Sequence, residues 1–130
     1  MFIDTSVVVA ILADEEDAAE WSGRIELASR RITSPLVMLE AAMRLSSMLA
    51  VQPVVAEAAI EEFLREAEVE VVPIESGDAK LAIQAFSEYG KGRGHPAQLN
   101  LADCLSYASA KSRGMPLLYK GNDFSHTDLA

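Results

Sequence analysis

Four acidic side chains, Asp4, Glu40, Asp103 and Asp123, fall where the chain should turn at one edge of a sheet. Asp4 closes the apolar run Met1-Phe2-Ile3, and the hydroxyl residues Thr5 and Ser6 follow it. Asp103 sits among Leu101, Ala102, Cys104 and Leu105, a poor setting for a lone charge. Two carboxylates about 4 Å apart repel by roughly 4 kcal/mol at an effective dielectric of 20. A site that gathers three or four therefore needs shifted pKa values or a cation. Carboxylate oxygens with several waters are what Mg2+ or Mn2+ prefers. A divalent ion held this way supports metal-assisted hydrolysis.

Each acid also has a simpler reading. Asp4 is a favoured helix N-cap, a task Thr5 or Ser6 could equally take. Glu40 precedes Arg44 by four residues, the favourable spacing for a helical pair. Asp103 in a first helical turn complements the dipole. Asp123, beside Gly121 and Asn122, has turn chemistry. Taken together, these readings need four coincidences at one sheet edge. Other catalytic chemistry finds little support. His95 and His126 are far apart in sequence, and Cys104 reads as a small core residue.

The elements that would position the acids follow from periodicity. A continuous apolar strand at residues 1–3 is expected to be buried on both faces. Its carboxyl end is where open α/β folds bind ligands. A short helix over 6–13 follows, then an acidic turn and a helix to about Arg30, with Trp21, Ile25 and Ala28 on one side. Residues 31–34 read as a second strand. Ser34-Pro35 opens a helix to Ala50 by a cap and a proline at the first position. Apolar residues, including Met38, Met43 and Met48, cover most of that helix. Further helices are expected over 54–68, 76–89 and 100–113, with strands at 69–74 and 116–119. Between them Gly90-Lys91-Gly92-Arg93-Gly94 is a basic glycine-rich loop without the lysine-plus-hydroxyl ending of a P-loop. Strands joined through helices give a parallel sheet between helical layers, a three-layer α/β/α sandwich in one domain over 1–130.

Net charge is −9, which argues against a surface that grips nucleic acid everywhere. The distribution says more. Between Glu88 and Asp123 the only acid is Asp103, while Lys91, Arg93, Lys111, Arg113 and Lys120 fall there. Lys91 and Arg93 are thus candidate phosphate contacts. The single cysteine forms no intramolecular disulfide, and no leader or membrane-length apolar run stands out, so a cytoplasmic protein is expected.

The chain resembles a PIN domain, and more narrowly a VapC-type toxin of a toxin–antitoxin pair. The residues that carry the likeness are Ile3-Asp4-Thr5-Ser6, the helical Glu40, Leu99-Asn100-Leu101-Ala102-Asp103-Cys104, and Tyr119-Lys120-Gly121-Asn122-Asp123-Phe124 with Thr127-Asp128. The likeness implies a five-stranded parallel sheet, with Asp123-Phe124 onward as a place for the strand that periodicity does not find. It implies Mg2+-dependent RNA cleavage, with Mn2+ as the alternative ion. Asp4 and Asp103 would be metal ligands, Glu40 and Asp123 would complete the cluster, and Ser6 and Asn100 would orient carboxylates or substrate. Asp128 rivals Asp123 as the fourth acid. A VapB-type antitoxin and a homodimer are implied as well, with the Met38-Met43-Met48 helix and the Trp21 helix as walls of a groove for an apolar peptide. Two other readings compete. A haloacid-dehalogenase-type phosphatase needs an aspartate where Ser6 stands, and a catalytically inactive interaction module would bind no metal.

Overall fold

The apolar opening forms strand β1 (Phe2–Ile3), and both residues are fully buried in the computed structural model, which describes residues 1–130. Helix α1 (Thr5–Leu12) follows at once. Its residues Val7, Val8, Val9 and Ala10 are all buried, so this helix is covered on most sides. Helix α2 (Ala18–Leu27) is shorter than expected and ends before Arg30 and Arg31. Arg31 instead caps helix carboxyl ends, donating to the carbonyls of Glu26 and Ala67. Strand β2 (Ile32–Thr33) leads to α3 (Pro35–Leu49), where the Val37 N–H donates to Ser34 Oγ at 3.3 Å, the expected cap.

Helix α4 (Pro53–Glu66) packs against α3 and connects to β3 (Glu70–Val71), a short exposed strand. Helix α5 (Ser76–Tyr89) is capped by Glu75 rather than by its own first residue, and the Glu75 N–H donates to Asp78 Oδ2. Helix α6 (Leu101–Ser112) packs against α5 and ends in the short turn before β4 (Leu117–Leu118).

The sheet is entirely parallel in the order β3-β2-β1-β4, with Phe2 opposite both Ile32 and Leu117. Chain direction and right-handed crossovers then place the layers. Steps from β1 to β2 to β3 run one way and carry α1–α4 over one face. The return from β3 to β4 carries α5 and α6 over the other. Four strands form, not five. Residues from Asn122 onward make successive turns, with Ser125 N–H donating to Asn122 O and Thr127 N–H to Phe124 O. Phe124 is fully buried 5.2 Å from the Tyr119 ring, so this segment plugs the core instead of extending the sheet.

Candidate active site

Asp4 follows β1, which pairs with β4 where the winding of the sheet reverses: the connection from β1 leaves toward β2, and the one from β3 returns past β1 to β4. Such a switch point opens a crevice at the carboxyl ends of the strands. The Asp4 N–H donates to Leu118 O at 3.0 Å, which ties it to the end of β4. Asp123 follows β4, so it emerges at the same edge. Glu40 lies in α3, which starts where β2 ends. Helix α6 runs antiparallel to the strands, so its first turn, with Asp103, faces that edge too.

Asp4 is also the N-cap of α1, a task it takes in place of Thr5 and Ser6. Its Oδ2 accepts from the Ser6 N–H at 3.1 Å and from Ser6 Oγ at 2.6 Å. Asp103 belongs to a capping box, in which Asn100 N–H donates to Asp103 Oδ2 at 3.1 Å and Asp103 N–H donates to Asn100 Oδ1 at 2.8 Å. Capping and clustering are therefore not rivals. A cap fixes one oxygen of each carboxylate, while Oδ1 of both residues accepts no protein hydrogen bond. Glu40 forms no ion pair with Arg44 and stays half-buried.

Electrostatics link the other three acids to Asp103. Burial, and after it the charges of Asp123, Asp4 and Glu40, push the Asp103 carboxyl up to about 7, although the Asn100 N–H pulls the other way. Three negative charges from three other elements thus bear on one buried carboxylate. No three acidic, histidine or cysteine side chains stand as a ready-made ligand set for one ion. The hard oxygens and their unrelieved repulsion fit a divalent cation.

Asp128 is elsewhere. It accepts from the Tyr107 hydroxyl at 2.6 Å and pairs with Lys111, near the far end of α6 from Asp103. These two partners hold its carboxyl below the usual range, and Asp128 is a tail anchor rather than the fourth acid. Cys104 is buried, and burial pushes its thiol up, as befits a core residue.

The basic stretch is largely neutralised. Lys111 pairs with Asp128, Arg113 with buried Asp78, and Lys120 with Glu15 and Asp17. Lys91 and Arg93 are exposed and pair with no carboxylate; Arg93 lies 6.0 Å from the Phe86 ring centre. The groove expected between the Trp21 helix and the methionine helix does not form as drawn, because Trp21 is buried in the core. Met38 instead lines an apolar groove between α3 and α4 with Pro35, Ala42, Pro53 and Val54. Sequence reading missed Lys120, Glu15 and Asp17 as partners. The acids looked like a helix-dipole feature, and their cation lies about a hundred residues away.

A fold that sets a buried aspartate at the switch point of a small parallel sheet, with further acids on three neighbouring elements, has known relatives. The PIN domain family model matches residues 1–129. Ribonuclease VapC28 of Mycobacterium tuberculosis is 46% identical over 99% of this chain and 95% of its own. The chain therefore belongs to the PIN-domain family, in its VapC ribonuclease branch. Among solved structures, M. tuberculosis VapC20, described as a Sarcin-Ricin loop cleaving toxin, superposes with a TM-score of 0.73 at 18% identity over 95% of this chain and 92% of that one. A chain of a toxin-antitoxin complex from Klebsiella pneumoniae does so with a TM-score of 0.73 at 15% identity, over 98% and 92%.

Proposed function

We propose that this chain is the toxin of a type II toxin–antitoxin pair and cleaves RNA by divalent-metal-dependent hydrolysis. The observation that carries the reading is the Asp103 carboxyl, buried and facing the charges of Asp4, Glu40 and Asp123. Asp4 and Asp103 would hold Mg2+ or Mn2+ through the oxygens their caps leave open. Bound there, the ion would acidify water and neutralise charge on the phosphodiester. The chain's own residues prepare the site. Ser6 fixes the rotamer of Asp4, the α6 capping box fixes Asp103, and half-buried Glu40 and exposed Asp123 add negative charge from two more sides. Lys91 and Arg93, free of carboxylate partners, would contact RNA phosphates.

Relatives named as ribonucleases, and a neighbour solved as a toxin–antitoxin complex, support an RNA substrate and a VapB-type antitoxin as partner. Homodimerisation and a cytoplasmic site of action belong to the same proposal. No helix is long and apolar enough to cross a membrane. The test is to incubate pure protein with total RNA in Mg2+ or in chelator. Cleavage in Mg2+ that chelator abolishes supports the reading. Intact RNA in both, with pure and folded protein, would favour an inactive interaction module instead.

A further inference from the structure

Lys120 lies between the end of β4 and Asp123, and three hydrogen bonds leave it for other parts of the fold. Its backbone N–H donates to Ser6 Oγ at 2.9 Å, and Ser6 Oγ in turn donates to Asp4 Oδ2 at 2.6 Å. The Ser6 hydroxyl has one proton, so accepting from Lys120 leaves that proton directed at Asp4. Lys120 Nζ donates to Glu15 and, at 2.9 Å, to Asp17, both on the connection between α1 and α2. Helix α1 joins that connection back to Asp4. The result is a closed ring: Asp4, Ser6, Lys120, Glu15 and α1. The next residue, Gly121, has φ +100°, a conformation that favours glycine, and the backbone turns there toward Asp123. Lys120 is the anchor immediately before that turn. Its acceptors belong to neither α3 nor α6, so the ammonium is held by carboxylates outside the cluster.

We propose that Lys120 is a positioning residue whose tether to Glu15 and Asp17 holds the Asp123-bearing turn and the Ser6 hydroxyl so that Asp4 and Asp123 face Asp103 before a divalent ion arrives. This rests on the reading of the acid cluster as a metal site. A simple surface ion pair is the competing account. Its three side chains are about one-third exposed, and such pairs contribute little to stability. The two accounts therefore differ in metal affinity rather than in melting temperature.

The experiment is calorimetric titration of Mn2+ into the wild type, Lys120→Met, Lys120→Arg and the Glu15→Gln/Asp17→Asn double variant, with a thermal melt of each. Lys120→Met should weaken Mn2+ binding by about tenfold, the low end for loss of a group that orients a metal ligand. Its melting temperature should move little, Lys120→Arg should recover most of the affinity, and the double variant should copy Lys120→Met. If Lys120→Met fails to fold, the double variant, which leaves Lys120 itself in place, carries the test. Wild-type affinity in both Lys120→Met and the double variant overturns the proposal. Tighter binding in Lys120→Met also overturns it, because freed Glu15 and Asp17 would then be ligands themselves. A wild type that binds no Mn2+ overturns the metal reading and this proposal with it, whereas binding by the wild type with no change in the variants overturns the positioning role alone.

Discussion

Replacing Asp103 with asparagine should stabilise the metal-free protein at alkaline pH and not at acid pH. In the folded chain, burial and then Asp123, Asp4 and Glu40 push this carboxyl from 3.8 up to about 7. The unfolded chain loses the same proton near the ordinary value. Between those two pKa values the folded state binds more protons than the unfolded one, so stability falls as pH rises from about 4 to about 7. A difference of about three units at 1.36 kcal/mol each sets a ceiling near 4 kcal/mol. Asp123 is exposed, so solvent reaches the cluster and screens part of this repulsion. An effective gain of about 1–2 kcal/mol is the reasonable expectation at an intermediate dielectric. For a domain of this size that is a rise of roughly 4–8 °C. Asparagine keeps an oxygen for the Asn100 N–H, so the capping box survives the change. The assay is thermal unfolding of wild type and Asp103→Asn in chelator at pH 4.5 and pH 8. The variant should melt higher at pH 8, with the gap closing or reversing at pH 4.5. Equal gaps at the two pH values, or a less stable variant at pH 8, would refute the electrostatic argument.

Other outcomes follow from the same geometry. Lys91→Ala/Arg93→Ala should weaken RNA binding and flatten its salt dependence by up to about two counterions, measured by fluorescence titration over a salt series; unchanged binding would remove both residues from the interface. Asp128→Asn should cost about 0.5–1 kcal/mol in denaturant titrations by loosening the tail from Lys111 and Tyr107, while leaving Mn2+ affinity intact. A loss of metal binding in that variant would return Asp128 to the site.

Much of this architecture was legible in one-dimensional terms. Phe2–Ile3, the Ser34-Pro35 start of α3 and the Asn100 cap of α6 each carry a local signal, either continuous burial or capping chemistry, and each appears where expected. Asp4, Glu40, Asp103 and Asp123 were each placed at one sheet edge from the sequence, and the charges of the other three act on Asp103. What stayed hidden depended on partners distant along the chain. Lys111, Arg113 and Lys120 read as a basic face, yet each is claimed by an acid at least 17 residues away. Asp128 looked interchangeable with Asp123 because both end a turn-rich segment, and the Lys111 and Tyr107 partners of Asp128 separate them. Phe124 read as strand material, but three dimensions offered it a core position.

The central claim is that Asp4 and Asp103, at opposite ends of the sequence, serve one divalent ion. Electron paramagnetic titration of Mn2+ into wild type, Asp4→Asn and Asp103→Asn, each confirmed folded, tests it most directly. The structure leads us to expect binding by the wild type and marked loss in either single variant. Wild-type binding retained in both variants would contradict the claim.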